Sequence, residues 1–539
     1  MLMCAFQPQP DGTDSALLTV AEVSGYRATS TSAELEGLLD RIAATSPLAR
    51  RAEMGKTQEG RSIPMLIIAD PPVAGPAEAA AQVRENGKLL VFILGNIHAG
   101  EVDGKEALPM LARDLIAPSG RPHPMLTRLI VVMAPNYNAD GNDRFGKGNR
   151  PGQVGPEEGM GTRENAAGLD LNRDYIKMEC PETRALAAFI NEWDPYVVVD
   201  LHTTNGSYHR YLITYDGPKA PAGDALIVGY SRDTLLPAIG ADFERRSGAR
   251  AFFYGNFEGA FGDAVRGHTR WETFSPEARF GTSYIGLRGR LSVLVESYSY
   301  ATYKDRVLGT LDFCRSSLEV IAREADEIAR RVAAVDEAAE RGPVGGGPGS
   351  RIVLRSRAAP APEKVTIMGF VEEEKDGHSV STGVPKDYEV QHWDRFEAAL
   401  AVELPGAYIM DRRAPGIGGV VENLRRHGVV VEQLAADETL DTHIYRVERA
   451  DAAAKPFQNH ALRNVEVTLR ADREAFGKGT IVVRTAQRLG RLGAYLLEPQ
   501  CEDGLTTWNF FDASLTVGDD FPVRRVHGPL ECRTESLSE

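Results

Sequence analysis

The chain has 539 residues, of which 42% are hydrophobic and 25% charged, and its formal net charge is −15. At about 150 residues per domain this length calls for more than one domain with sizeable cores. The acidic balance argues against a general nucleic-acid binder, which would show a basic face, and no apolar run reaches the roughly 18 residues of a membrane span. Five widely spaced cysteines (Cys4, Cys180, Cys314, Cys501, Cys532) contain no CxxC pair, which excludes zinc-finger and thioredoxin-like readings. They read as buried small hydrophobes. Residues 1–10 are too short for a signal peptide with its charged and apolar regions. In chain order, residues 14–47 predict a helix-containing entry segment. Residues 53–69 read as a hairpin turning at Gln58 to Arg61. An apolar strand at 88–94 follows, then a helix over 103–115 with Leu108, Leu111 and Leu115 at helical spacing. Residues 129–134 form another apolar run ended by Pro135, residues 182–193 a helix, and residues 196–201 a buried strand.

Apolar runs without alternation, separated by helices, predict an α/β fold with a mixed, mainly parallel sheet covered on both faces. Residues 311–341 predict one long helix. The Gly/Pro-rich stretch after it could be mistaken for a phosphate loop, but it lacks a Lys-Ser/Thr pair and a preceding strand. With the Pro/Ala stretch at 358–362 it reads as a linker spanning 342–362. The predicted organisation is therefore a catalytic domain at 1–341, that linker, and a strand-rich C-terminal domain at 363–539. In the last, strands are expected at 365–371, 465–469 and 479–483, with helical patterns at 418–427 and 484–492.

Three short segments, each just past an apolar run, carry chemistry. They are His98-Ala99-Gly100-Glu101, Asp200-Leu201-His202, and Glu296 after 291–295. In open α/β sheets, ligands collect outside the carboxyl ends of the strands. His98, Glu101 and His202 make a three-ligand zinc set with an open fourth position. Glu296 is left as a candidate base. A zinc-bound histidine usually passes its other N–H to a carboxylate. Asp170 is the candidate for that part at His98, and Asp200 at His202.

These residues resemble the zinc carboxypeptidases of the carboxypeptidase A type, in particular the larger bacterial members with a C-terminal extension. The resemblance runs through Gly55 to Arg61, His98 to Glu101, Asn138-Ala139-Asp140-Gly141, Arg163, Asp170 to Arg173, His202 and Glu296. It covers roughly residues 35–330. It departs from the family at Ala139, where a proline is usual. The resemblance implies one zinc per chain and hydrolysis of an amide bond next to a free C-terminal carboxylate. A zinc-bound water would be the nucleophile and Glu296 the general base. It also implies that Arg163 stabilises the oxyanion and that Asn172 and Arg173 grip the substrate carboxylate. A tyrosine is expected over the substrate, either Tyr284, in a Gly-rich segment before the Glu296 strand, or Tyr254. Tyr284 is the stronger candidate.

The implied partner is a peptide or amino-acid-derived substrate with a free carboxylate. The resemblance leans toward a periplasmic or secreted protein, and oligomeric state is not legible. The segment at 200–205 also resembles the aspartoacylase and succinylglutamate desuccinylase branch, so the second reading is an N-acyl amino acid amidohydrolase. A third, a non-catalytic binding protein on the same scaffold, would show a missing ligand or base, and none is missing. Trp508 reads as a ligand platform, a domain-interface anchor or core. Arg288 and Arg290 read as partners of surface carboxylates or of an acidic substrate.

Overall fold

In a computed structural model, which describes residues 14–116, 123–259, 267–343 and 350–537, apolar strands build the centre of the molecule. In chain order these are β1 (Ala49–Lys56), β2 (Ser62–Ile68), β3 (Leu89–Gly95), β4 (Leu129–Ala134), β5 (Val197–Thr204), β6 (Ile213–Asp216) and β7 (Ala251–Phe253). The short β8 (Asn256–Phe257) and β9 (Arg270–Glu272) leave this sheet, and β10 (Leu291–Tyr298) returns to it. The strand order is β1-β2-β4-β3-β5-β10-β6-β7. Strands β4, β3, β5 and β10 are mutually parallel, while β1, β2 and β6 join antiparallel. The sheet is thus mixed and mainly parallel, as the unalternating runs require.

Every residue of β3 is buried, yet its side chains still part between two faces. Leu89, Val91 and Ile93 pack with helices 103–115 and 303–323. Leu90, Phe92 and Leu94 pack with helix 181–193 and with residues from beyond 400. The period of two therefore decides which core each residue joins, although hydrophobicity alone does not show it. The predicted single helix at 311–341 is two, Tyr303–Arg323 and Ala325–Arg341, which meet at Glu324.

The C-terminal region is strand-rich and docks on the N-terminal part. Residues 344–349 of the predicted linker, like Cys4 and the first ten residues, lie outside the described residues. Its second half is not a linker. It forms β11 (Arg351–Ala359), because those residues find a partner about 40 positions away. The long hairpin β12 (Lys364–Lys375) and β13 (His378–Trp393) precedes that partner, β14 (Arg395–Glu403). Strand β13 also runs parallel to β9, so one sheet is shared by the two parts of the chain. Antiparallel strands between 407 and 536 make a further seven-stranded sheet. One hydrophobic core joins Phe92, Tyr175 and Ile190 to Val420, Leu424, Leu496 and Trp508. Cys180, Cys314 and Cys501 are buried free thiols and Cys532 a half-buried one. No helix among the described residues is long and apolar enough to cross a membrane.

Candidate metal centre and substrate pocket

The parallel register brings the site together. Glu296 of β10 lies beside His202 of β5, and Leu201 of β5 lies beside Gly95, the last residue of β3. Past Gly95 the chain turns through Asn96, which takes a left-handed conformation (φ 64°) and is fixed by Asn136 and Asn142. His98 and Glu101 follow at once. All four functional side chains thus emerge from adjacent strand ends.

His98 Nδ1 and His202 Nδ1 face each other at 3.2 Å, and both lie 3.0–3.1 Å from Glu101 Oε2. On the far side of each ring Nε2 meets a carboxylate, Asp170 Oδ1 for His98 at 3.1 Å and Asp200 Oδ2 for His202 at 3.1 Å. A carboxylate only accepts, so a proton on each Nε2 would face its acid and free Nδ1 for a metal. Both Nδ1 atoms and a carboxylate oxygen converge on one point in a buried setting. Without metal, burial pushes the His202 imidazole down, but Asp200, Glu101 and Glu296 hold it well above its usual value, which shows how strongly this point favours positive charge. Two imidazoles and a carboxylate, each ring backed by its own acid, fit zinc.

Electrostatics agree with the geometry. Burial pushes the Glu101 carboxyl up, but His98, Arg150 and His202 more than offset this and hold it well below the usual carboxylate range. Burial also pushes Asp170 up, and it too ends far below its usual value because His98, Arg163 and Arg173 surround it. Asp170→Asn keeps the shape but not the charge behind His98. It is expected to weaken zinc binding by about 10- to 100-fold, as measured by competition with a chromogenic chelator. An unchanged affinity would remove Asp170 from this role.

Below the ligands a second network fixes the strands. The Asp103 carboxylate accepts from Thr203 Oγ1 (2.6 Å), Ser297 Oγ (2.7 Å) and Arg306 Nε (2.9 Å). Arg306 and Asp103 are both fully buried. Breaking such a pair costs about 3–5 kcal/mol, several times a surface ion pair, so this pair helps hold the site's floor.

The ligands open into a pocket of about 350 Å³ lined also by Arg163, Asn172, Arg173, Tyr254, Phe280 and Glu296. Arg163 is pinned by Asp170 Oδ2 through Nε (3.0 Å) and Nη2 (2.8 Å), and its Nη1 lies 3.6 Å from Glu101 Oε1. Arg173 lies over the Phe280 ring, 4.2 Å from its centroid, and its nearest carboxylate oxygen, Asp170 Oδ2, is 3.8 Å away. Asn172 Oδ1 is taken up by the Gly281 N–H at 2.9 Å, which leaves its amide N–H groups to face a ligand. Burial pushes the Glu296 carboxyl up to about 8, against the pull of His202 and Arg163.

The structure does not bring Tyr284 to this pocket. It is 1% exposed within helix Gly281–Leu287, where its hydroxyl meets His427 Nδ1 at 2.9 Å and Arg288 at 3.1 Å. Tyr254, the other position considered, lines the pocket instead. Arg290 pairs with Asp194 and Asp336, away from the site. Trp508 is an interface anchor, buried with Arg279 and Lys177 over its ring.

Sequence reasoning missed Arg150, Phe274 and Phe280, which also line the pocket. Arg150 Nη2 lies 3.0 Å from Glu101 Oε1, so that oxygen is occupied while Oε2 faces the histidines. The local signal for Arg150 is Gly100, where any side chain would overlap the Arg150 methylenes.

Residues 35–225 match the model of the zinc carboxypeptidase family. The match contains His98, Glu101, Asp170 to Arg173 and His202. It stops short of Glu296, which the strand register supplies. Carboxypeptidase 2 of Trichophyton tonsurans is 22% identical over 520 residues, spanning 91% of this chain and 86% of that protein. Carboxypeptidase D of Mus musculus is 34% identical over 179 residues, 29% of this chain and 13% of that one. A metallo-carboxypeptidase structure from Burkholderia cenocepacia aligns at 16% identity and a TM-score of 0.38, covering 53% of this chain and 68% of the other. The family match falls on the very segments that bring His98, Glu101 and His202 together, so residues 35–225 carry a zinc carboxypeptidase domain and the chain is similar to carboxypeptidases over most of its length.

Proposed function

We propose that the protein is a metallocarboxypeptidase that hydrolyses the amide bond next to a peptide's free C-terminal carboxylate. One observation carries this reading. The ligand set, Glu296 and the Asn172–Arg173 pair line a single pocket, and Glu296 lies beside His202 on the neighbouring strand. His98, Glu101 and His202 would hold the zinc, which when bound supplies the Lewis acidity that makes water nucleophilic near neutral pH.

The remaining work falls to the chain's own groups. Glu296 takes the proton from the attacking water and passes it to the leaving amine. A carboxylate can do both, because it accepts a proton and, once protonated, donates it. Arg163, held rigid by Asp170, offers its guanidinium to the oxygen on which charge develops. One such donor is worth about 3–4 kcal/mol. Arg173 and Asn172 bind the terminal carboxylate, for which a planar guanidinium fork is suited. Phe274 and Phe280 line the wall and limit water at the carboxylate end.

The test is a matched pair of N-blocked dipeptides, one a free acid and one amidated at the C-terminus. Losing a charge-assisted hydrogen bond costs about 1.5–3 kcal/mol, so kcat/KM should fall by about 10- to 100-fold on the amide. Equal rates on both would refute the carboxylate role of Arg173. Turnover confined to small N-acyl amino acids would favour the amidohydrolase reading instead.

A further inference from the structure

We propose that the C-terminal region is part of the substrate site. Gln458, Asp503 and His427 act as positioning residues that hold both walls of the pocket's carboxylate-binding end. This rests on the reading that Asn172 and Arg173 bind the substrate carboxylate.

The first wall is the segment from Asp170 to Lys177. Gln458 Oε1 accepts the Asp170 backbone N–H at 2.9 Å. Gln458 (φ 49°) and Asn459 (φ 67°) are both left-handed, within a turn where Phe457 and His460 exchange backbone hydrogen bonds. Asparagine tolerates that conformation. Glutamine rarely adopts it, and such a residue persists only where its surroundings impose it. Here His460 secures the turn from both sides, through Asn509 Oδ1 and Glu179 Oε1, each at 2.9 Å.

The second wall is the stretch from Arg279 to Gly281. Asp503, with no exposed surface, accepts from the Arg279 backbone N–H (2.6 Å), the Arg279 guanidinium (2.8 Å) and the Trp508 indole (2.8 Å). The two residues after Arg279 touch the binding pair directly. Phe280 lies under the Arg173 guanidinium, and the Gly281 N–H holds Asn172 Oδ1. A side chain at 281 would overlap the Tyr175 ring, so the backbone can approach only as glycine. Among the described residues Arg173 has no carboxylate within hydrogen-bond reach. Its Nη1 donates to the Asn172 carbonyl at 2.8 Å, and its aim depends on that bond and on this stacked wall.

His427 joins the walls. Its Nε2 meets the Ile176 carbonyl at 3.0 Å, so Nε2 carries the proton and Nδ1 accepts from the Tyr284 hydroxyl. The His427 carbonyl also accepts from Arg288 at 2.7 Å. Tyr284 and Arg288 thus belong to the docking of the C-terminal region.

The zinc ligands stand on the sheet and on Asp170, Asp200 and Arg150, and the Asp170 carboxylate keeps its own holders in His98, Arg163 and the Asn172 N–H when its backbone N–H loses Gln458. Loosening the walls should therefore cost substrate affinity more than metal or turnover. The experiment uses the full-length, zinc-loaded chain. KM and kcat are measured on an N-blocked dipeptide acid. Zinc content is measured, and so is the Kd of the same dipeptide for the Glu296→Gln background by calorimetry. Gln458→Leu and Asp503→Asn are expected to raise KM and Kd about tenfold, the loss of one hydrogen bond's worth of affinity. Zinc should stay stoichiometric and kcat within about threefold. Gln458→Glu keeps the acceptor and is expected to remain near the parent. A folded, zinc-loaded Gln458→Leu with the parent's KM and Kd would overturn the proposal, as would equal losses in zinc, kcat and affinity. Gln458 lies on a half-exposed turn, so Gln458→Leu decides even if Asp503→Asn does not fold. Should the parent bind acid and amide alike, the carboxylate reading itself fails, and this inference with it.

Discussion

Glu296→Gln is expected to keep one zinc and to lose about 10²- to 10⁴-fold in kcat, the usual contribution of a positioned general base. The amide has the same size and can still accept a hydrogen bond, but it cannot take a proton. The loss should fall on kcat with little change in KM, because Glu296 sits beside His202 and not at the carboxylate end. Folding should not suffer. The native carboxyl is raised from 4.5 to about 8, so between those values ionisation disfavours the folded, metal-free state. Glutamine removes that penalty. The metal-free variant should melt no lower than the parent at neutral pH and show less loss of stability as pH rises through this window. A fully active Glu296→Gln protein would end the base assignment. A variant that is inactive and lacks zinc would show a structural role instead.

The second large effect is at His202. Removing it takes away one of three ligand atoms and leaves Glu101 and His98, which do not span a tetrahedral site. His202→Ala should purify without stoichiometric zinc and without turnover. It should also be less stable in the metal-free state. Asp200 Oδ1 already lacks a hydrogen-bond partner, and loss of the imidazole would strand the whole buried carboxylate. Such a group costs about 1–3 kcal/mol. Elemental analysis and thermal melting with and without chelator measure the two effects separately. Full zinc content in His202→Ala would sink the ligand set.

Much of the fold was legible because its signals are local. The run at 129–134 and the helix at 103–115 stand where apolar spacing puts them. The metal set was legible because ligands at parallel strand ends need only the strands to be recognised. What failed depends on distant partners. Tyr284 looked like the tyrosine over the substrate because it stands in a Gly-rich segment before the Glu296 strand. In the structure residues 281–287 form a helix that is buried throughout, because residues about 140 positions away cover it. The stretch at 351–359 looked like linker because its partner strand begins only at 395. The break at Glu324 carries neither glycine nor proline, so periodicity ran straight through it. Phe280 and Arg150 were missed because each gains its place only through a tertiary contact, one under Arg173 and one beside Glu101.

The most direct measurement is zinc titration of the chelator-stripped protein, followed by release of the C-terminal residue from an N-blocked dipeptide. Release that is absent without metal and saturates at one equivalent of zinc is the predicted result. Release unaffected by stripping, or none at any zinc concentration across a panel of C-terminal side chains, would contradict a zinc-dependent carboxypeptidase.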